Sequence, residues 1–250
     1  AGLAATAIEE VAAGRLPRAY ALSRPPGHHC LPDRPMGFCL LANIAIGLER
    51  ARAQGLAKRV AVVDWDVHHG NGTEAIYRDD GDTLTISIHQ EGNYPWGSGA
   101  FAADTPGVLN LPLPPGAGHE TYIDAMDRVV IPALHRFGPE LIVVACGYDA
   151  SAVDPLARML AGADTFACMT EQVMGAADAL CDGRLVLVHE GGYSEVHVPF
   201  CGHAVLQTLA GSNIAAPDPL AGRIAAHQPN ARMRAVFREI VDGYRRDLGL

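Results

Sequence analysis

The hydrophobic pattern of this chain alternates between short apolar runs and longer segments of helical period. Runs that are apolar at successive positions and bounded by turn residues are typical of strands covered on both faces. Five such runs are present: Ala19–Leu22, Val60–Trp65, Leu84–His89, Leu141–Cys146 and Leu185–His189. Apolar residues recur at helical spacing in the segments 122–137, 166–180 and 233–244, and Leu3–Ala13 is also predicted to be helical.

This alternation of strands and helices predicts the fold class. It favours a doubly wound α/β fold, with a mainly parallel sheet and helices on both of its faces. The stretch Pro112–Gly118 is predicted to be a loop, and Gly211–Asn230 an irregular segment before the last helix. Neither stretch is long enough to require a domain boundary, so residues 1–250 are interpreted as one domain. Ligands of such folds bind beyond the carboxyl ends of the strands.

Composition and charge exclude several function classes. Apolar residues make up 49% of the chain and charged residues 19%, which excludes a disordered chain and a coiled coil. The net charge of -9 argues against sequence-independent nucleic-acid binding, which needs a basic surface. No apolar run is long enough for a membrane span. The 6 cysteines include no Cys-x-x-Cys pair, and they are interpreted as buried thiols of a cytoplasmic protein.

A polar cluster follows the run at residues 60–63 directly and contains Asp64, Asp66 and His68. Alternate residues of an extended chain share a face, so these three side chains are expected to point the same way. Two carboxylates and an imidazole are costly to bury unless they bind a cation. Mixed oxygen and nitrogen ligands suit Zn²⁺ or a neighbouring divalent ion. The alternative is a polar surface turn.

Three other predicted strands also end in polar residues. After the first run, a Pro-Pro-Gly sequence stiffens a loop that presents His28 and His29. Asp149 follows the fourth run, and the fifth run leads into Glu190–Tyr193, where Tyr193 offers a phenolic hydrogen-bond donor. Adjacent histidines are by themselves more often surface residues, and Gly-Gly-Tyr is a common turn. Their occurrence together at strand ends is what points to a site.

Taken together, these elements resemble the zinc-dependent histone deacetylase family, in particular its class II branch and the bacterial histone deacetylase-like amidohydrolases. The resemblance covers essentially residues 1–250 and implies the arginase–deacetylase fold. The motifs that carry it are Pro25–His29, Asp64–Thr73, Gly147–Ala150 and Glu190–Tyr193, with further family-like stretches at Met36–Cys39 and Pro199–Gly202. The second of these motifs is highly specific.

The resemblance implies a metal site. Asp66, His68 and Asp149 match the family's three zinc ligands, which leave an open position for water and the substrate carbonyl. Relatives also bind a structural K⁺ through backbone carbonyls around Asp64 and Ser87, so K⁺ is implied here as well.

The resemblance also implies the catalytic side chains. His29 matches the general base that later protonates the leaving amine, while His28, oriented by Asp64, is expected to act electrostatically. Tyr193 matches the residue that hydrogen-bonds the developing oxyanion. Asn71 stands where some relatives carry an aspartate. We expect this neutral partner to keep His29 uncharged and available as a base.

A narrow acyl-lysine channel is a further implication of the resemblance. Phe38 matches one wall, and Gly37 and Gly147 are assigned to substrate binding with it. Tyr94 is expected on the opposite wall, with Trp96 as the second choice. Leu156 occupies the position where polyamine-selective relatives carry a glutamate, and a leucine there favours acyl-lysine substrates.

Alternative functions stay open at this level. An acetylpolyamine amidohydrolase would share every catalytic position. A ureohydrolase such as arginase would share the fold, but it needs bridging carboxylates for two metals, and the neutral Asn71 is not one. A non-catalytic acyl-lysine binder is the third alternative. The expected partner is an acylated amine, with no direct contact to nucleic acid or membrane, and homo-oligomerisation is left open.

The length of the chain departs from the family's pattern. Relatives generally carry a longer segment before the Pro-Pro-Gly-His-His motif, whereas 24 residues precede Pro25 here. The resemblance therefore implies that the family's N-terminal segment, with the first strands of its sheet, is missing from this sequence.

Overall fold

The computed structural model describes residues 1–103 and 105–250 and contains one sheet in which every strand pairing is parallel. The strand order is β1-β6-β5-β2-β3-β4. The strands of this described part are β1 Arg18–Ala21, β2 Val60–Asp64, β3 Thr83–Gln90, β4 Val108–Leu113, β5 Leu141–Cys146 and β6 Leu185–His189. The prediction of a doubly wound parallel sheet is confirmed.

Helices cover both faces of the sheet. They are α1 Gly2–Ala12, α2 Asn43–Ala53, α3 Asn71–Tyr77, α4 His119–Ala125, α5 Ile131–Phe137, α6 Ala163–Leu180, α7 Val198–Ala210, α8 Ala221–Ala226 and α9 Ala231–Asp247. A π-helical segment, Met126–Val130, joins α4 to α5. Helix α9 begins where the Asn230 side chain accepts a hydrogen bond from the Met233 amide, which satisfies one of the free amides of the first turn.

The core consists of two layers because successive strand residues face opposite sides of the sheet. In β2, Val60 and Val62 pack against α1 and α2, where Ile8 and Leu48 are fully buried. The intervening residues of β2, Ala61 and Val63, face the layer formed by helices α4–α6 and α9. Burying an aliphatic side chain of this size contributes about 1.5–3 kcal/mol, so both layers stabilise the sheet.

Two of the sequence-based predictions were wrong at their boundaries. Pro112 was expected in a loop but pairs with His89 at the end of β4. Proline has no amide hydrogen to donate to a neighbouring strand, and β4 tolerates it because β4 is an edge strand with a neighbour on one side only. The segment expected to be irregular, 211–230, contains the short helix α8. Its six residues are too few to show a helical period.

The topological switch point of the sheet lies between β2 and β5. From β2 the chain adds β3 and β4 on one side, and β5 then pairs with β2 on the other side. The carboxyl ends of two such strands diverge and leave a crevice between them, where ligands bind in open α/β sheets. β6 and β1 extend the sheet on the β5 side. Within the described residues, no helix is both long and apolar enough to cross a membrane.

Candidate active site

The crevice between β2 and β5 holds three of the predicted side chains. Asp66 and His68 follow the end of β2, and Asp149 follows the end of β5. Both carboxylates are fully buried, and His68 is 6% exposed. The switch in strand order therefore brings together residues that are about eighty positions apart in the sequence.

The three side chains converge on one point. His68 Nδ1 lies 3.0 Å from Asp66 Oδ1 and 3.1 Å from Asp149 Oδ2. A tetrahedral Zn²⁺ holds nitrogen and oxygen ligands at about 2.0–2.1 Å, which places its ligand atoms about 3.3 Å apart. The donor set and its spacing thus fit a divalent cation with only small movements of these side chains.

The outer oxygens of both carboxylates are fixed by backbone amides. The Gly191 amide donates to Asp66 Oδ2 and the Val67 amide donates to Asp149 Oδ1, each at 2.8 Å. A β-carbon at Gly191 would lie 2.3 Å from the Asp149 carboxylate, and one at Gly147 equally close to that of Asp66. Only glycine fits at these two positions, and this close approach orients the inner oxygens toward His68.

The electrostatics of this pair also favour a cation. Burial, reinforced by the negative charge of Asp66, raises the pKa of the Asp149 carboxyl above its ordinary value. Two carboxylates so close together in a water-excluded crevice resist ionising together. A bound cation removes that penalty because it stabilises both charged forms.

The two adjacent histidines have different partners. His28 Nδ1 donates to Asp64 Oδ2 at 2.9 Å, and its Nε2 lies 3.7 Å from Asp66 Oδ1. His29 Nδ1 donates to the side-chain oxygen of Asn71 at 2.8 Å. Because the Asn71 oxygen is an acceptor, it assigns the His29 proton to Nδ1 and leaves a lone pair on Nε2.

These partners separate the pKa values of the two imidazoles. Burial alone would lower the pKa of His28, but the carboxylates of Asp66 and Asp64 outweigh it and raise that pKa well above its ordinary value. Burial, together with the positive charge of His28, lowers the pKa of His29 to about 2. At neutral pH one imidazole is therefore charged and the other neutral, a division suited to electrostatic and base roles respectively.

Tyr193 lies close to the predicted metal ligand His68. Its ring centroid lies 6.5 Å from that of His68, and its backbone amide donates to Asp154 Oδ2 at 2.7 Å. Burial, followed by the negative charges of Asp66 and Asp149, raises the pKa of the Tyr193 hydroxyl. The hydroxyl is therefore protonated at neutral pH and can donate a hydrogen bond.

Two aromatic rings border the approach to these residues. The Phe38 ring lies 5.9 Å from that of Tyr193, and the Tyr94 ring lies 5.0 Å from that of His29 at an interplanar angle of 89°. Gly37, with φ +55°, leaves no space for a β-carbon, which would lie 2.2 Å from a ring carbon of His29. The positive φ of Gly37 also suits glycine best.

The remaining two predicted rim residues lie farther out. Trp96 is 78% exposed and follows Tyr94 by two positions on the same loop. Leu156 is 43% exposed, and its carbonyl accepts a hydrogen bond from the Asn93 side chain at 3.3 Å. The Leu156 segment is thereby held beside the loop that carries Tyr94.

A buried network links the loops that carry Asp149 and Tyr193. The Ser151 hydroxyl donates to His197 Nδ1 at 2.7 Å, and His197 Nε2 donates to Asp218 Oδ2 at 2.9 Å. Ser151 and His197 are almost completely buried. The bond between Asp154 and the Tyr193 amide is a second link between the same loops, so each loop restrains the other.

Sequence reasoning gave no role to Glu190, Cys39 or His197. Glu190 Oε2 accepts hydrogen bonds from the backbone amides of Gly27 and His28 at 2.6 and 3.0 Å, and so fixes the loop of the histidine pair. A signal was present, because Glu190 is a carboxylate placed directly after β6, whose first four residues are apolar. For His197 the pattern offered none, since its partners are distant in the sequence.

Comparison with known proteins adds independent evidence. Residues 1–209 match the model of the histone deacetylase domain. The chain is 54% identical to the histone deacetylase-like amidohydrolase of Pseudomonas aeruginosa, over 100% of this chain and 67% of that protein. It is 44% identical to the chloroplastic histone deacetylase 10 of Oryza sativa subsp. japonica, over 78% of this chain and 46% of that protein.

A solved structure agrees with these sequence matches. The crystal structure of the HDA15 HD domain superposes with a TM-score of 0.78 and 32% identity, covering 99% of this chain and 71% of that one. The chain thus spans about two thirds of the length of the bacterial relative and less than half of the plant enzyme. On the domain match and the identity to the bacterial relative, the chain belongs to the histone deacetylase family.

Proposed function

We propose that residues 1–250 form a single catalytic domain that hydrolyses the amide bond of acylated lysine side chains or similar acylated amines, with Zn²⁺ as its metal. The observation that carries the proposal is the grouping of a three-ligand metal site with a neutral histidine, a charged histidine and a protonated tyrosine. Metal-assisted amide hydrolysis uses a bound cation, a base and a hydrogen-bond donor to the oxyanion within reach of one carbonyl, and these residues could hold the first and provide the other two.

Asp66, His68 and Asp149 would hold the Zn²⁺. When bound, such an ion polarises the substrate carbonyl and lowers the pKa of water. The Nε2 lone pair of His29 then accepts the proton of the attacking water, because Asn71 keeps the other ring nitrogen protonated. His29 next donates that proton to the leaving amine, which reverses its role from base to acid.

Two other side chains stabilise the charge that develops on the carbonyl oxygen. Tyr193 donates a hydrogen bond to the oxyanion, and a donor of this type typically contributes about 3–4 kcal/mol to the transition state. His28 remains charged because Asp64 binds its Nδ1, and it offers a fixed positive charge beside the reacting group. K⁺ near the paired residues Asp64 and Ser87 is a further proposal, as a structural ion.

An acyl-lysine substrate is favoured over an acetylated polyamine. The Phe38 ring lies beside Tyr193 and the Tyr94 ring beside His29, and apolar rings of this kind suit the uncharged methylene chain of an acyl-lysine. Leu156 beside the Tyr94 loop adds an apolar side chain to the rim, where a polyamine's charged amines would need a carboxylate. The name of the bacterial relative, a histone deacetylase-like amidohydrolase, agrees with this substrate class.

The experiment is to measure acetate release from an acetyl-lysine peptide and from an acetylated polyamine, with the parent protein and the Tyr193→Phe variant. We expect the peptide to be the better substrate. Loss of the phenolic hydroxyl should lower kcat about 100–1000-fold with little change in KM, because the hydrogen bond strengthens only in the transition state.

The matched control is Tyr244→Phe, which removes a phenolic hydroxyl that donates to the Pro112 carbonyl far from the site. Full activity of the Tyr193→Phe variant would contradict the mechanism. Faster turnover of the polyamine would assign the protein to the acetylpolyamine amidohydrolases. Turnover of neither substrate would favour a non-catalytic acyl-lysine binder.

A further inference from the structure

We propose that His28, Cys39 and Glu190 form a second, inhibitory cation site, which takes a thiophilic divalent ion such as Zn²⁺ when the ion is in excess. The site is separate from the Asp66–His68–Asp149 set and shares no ligand with it. Binding at the second site is independent of the proposed function. The inhibition rests on that function, because it assigns His28 a role in the reaction.

The donor set of the second site and its geometry suit a divalent ion. One imidazole nitrogen, one sulfur and one carboxylate oxygen lie within 4.8 Å of one another, and all three residues are buried. Zn²⁺ binds sulfur at about 2.3 Å and nitrogen or oxygen at about 2.0–2.1 Å, so its ligand atoms lie about 3.3–3.6 Å apart. The three side chains can therefore close on an ion through movements of roughly 1 Å.

Glu190 carries an unsatisfied carboxylate oxygen. Its Oε2 accepts two backbone hydrogen bonds, whereas its Oε1 is buried and has no hydrogen-bond partner among the described residues. A buried polar atom without a partner costs about 1–3 kcal/mol, and such atoms are rare unless a ligand or water satisfies them. A cation bound at Oε1 removes this penalty and leaves the bonds of Oε2 intact.

The other two ligands are available without disrupting the fold. His28 Nδ1 is bonded to Asp64, so Nε2 is the ring nitrogen that would bind the metal, and it releases its proton to solvent when the ion binds. Cys39 Sγ accepts a hydrogen bond from the His29 amide at 3.4 Å and donates one to the Gly37 carbonyl at 3.3 Å, so a thiolate would keep the first bond and lose the second. On binding, the Cys39 thiol releases its proton to solvent and the thiolate becomes the ligand.

We expect an ion to reach this site through a neighbouring cavity. A cavity of about 490 Å³ is lined by Arg24, Phe38, Glu190 and Tyr193 among others, and Glu190 lines it although this residue is only 3% exposed. The Asp66–His68–Asp149 set, the primary set, offers two carboxylates and needs no thiol deprotonation, so it binds the first metal ion. The second ion then displaces the Nε2 proton of His28, 3.7 Å from Asp66 Oδ1, and so removes the charged imidazolium that the reaction uses.

The test is to titrate metal-free protein with Co²⁺ and to follow its absorption, with bound metal counted by equilibrium dialysis. The primary set contains no sulfur, so the first equivalent should give only weak ligand-field bands. The second equivalent should add the intense near-ultraviolet band of a thiolate–cobalt bond. Absence of that band, or its appearance with the first equivalent, would refute the second site.

Three variants identify the ligands. Cys39→Ser should lose the thiolate band and bind one equivalent, whereas Cys30→Ser, which alters a neighbouring buried thiol, should keep both. Glu190→Gln retains an oxygen for the Gly27 and His28 amides but offers no carboxylate, and it should weaken the second equivalent about 10–100-fold. Loss of the band in Cys30→Ser, or normal binding by Glu190→Gln, would contradict the assignment.

The inhibition is measured as deacetylation rate against Zn²⁺, relative to each protein's own rate with one equivalent. The rate of the parent should fall as the second equivalent binds, while that of Cys39→Ser should not. Equal inhibition of both would overturn the inhibitory role. A protein without turnover at one equivalent would contradict the proposed function, while the cobalt titration would still decide whether the second site exists.

Discussion

The neutral partner of His29 makes a prediction that can be worked out from the structure. His29 Nδ1 donates to the Asn71 side chain at 2.8 Å, and burial with the charge of His28 lowers the pKa of His29 to about 2. The substitution Asn71→Asp keeps the shape and the acceptor oxygen but adds a negative charge. A carboxylate favours the imidazolium form, so the pKa of His29 should rise.

The size of that rise follows from Coulomb's law. The new carboxylate charge would lie about 4 Å from the imidazole charge, which gives about 4 kcal/mol at an effective dielectric constant of about 20. That energy corresponds to about 3 pKa units. Desolvation of the new carboxylate opposes part of the effect, and adjacent opposite charges typically shift a pKa by about 1–3 units.

The assay is the pH dependence of kcat/KM, which reports the ionisations of the free enzyme. His29 must be neutral to act as base, so a higher pKa moves the acidic limb of the profile to higher pH by about 1–3 units. The control Asn71→Ala removes the acceptor without adding a charge, and it should not move the limb upward. An acidic limb that is unmoved in Asn71→Asp would refute the reasoning that Asn71 sets the protonation state of His29.

Two further predictions concern residues that hold the site in place. Gly37→Ala should lower kcat and destabilise the protein, because the new β-carbon would lie 2.2 Å from the His29 ring and the positive φ disfavours alanine. Steady-state kinetics measures the change in kcat, and urea unfolding measures the loss of stability. His197→Phe should lower the free energy of unfolding by about 2–4 kcal/mol, since it leaves Ser151 and a carboxylate without their partner; urea unfolding measures the loss.

Each of these predictions has a matched control. Gly55→Ala tests a glycine that also has a positive φ but has open space around its β-carbon, so its catalytic rate should be unchanged. His203→Phe changes a partly exposed histidine of α7, the helix that begins directly after His197, and should cost much less stability. Equal catalytic losses in the two glycine variants, or equal stability losses in the two histidine variants, would contradict the stated causes.

The strands of the sheet could be predicted because they are buried on both faces and therefore apolar at successive positions. β5 agrees with its run residue for residue, whereas the run before Asp66 extends one residue beyond β2. β4 was missed because Asn110 and Pro112 interrupt its apolar pattern, and only its place at the sheet edge makes the proline acceptable. The π-helical segment between α4 and α5 likewise has no signature in the apolar spacing.

The candidate site was predictable where motifs follow strands and unpredictable where contacts are long-range. Strand ends and the family resemblance together pointed to Asp66, His68 and Asp149, which the structure brings within hydrogen-bond distance. Nothing in the sequence pairs Ser151 with His197, because that contact depends on how two loops fold over the sheet. The roles of the site residues remain predictions for the experiments described above.

The central claim is that acyl-amide hydrolysis depends on one metal ion held by Asp66, His68 and Asp149. The most direct measurement is acetate release from an acetyl-lysine peptide by metal-free protein during titration with Zn²⁺, alongside Asp149→Asn, which keeps the shape but removes a charged ligand. The account predicts no activity without metal, a linear rise to a maximum at one equivalent, and no recovery in the variant over the same range. Undiminished turnover by the chelator-treated protein would contradict it.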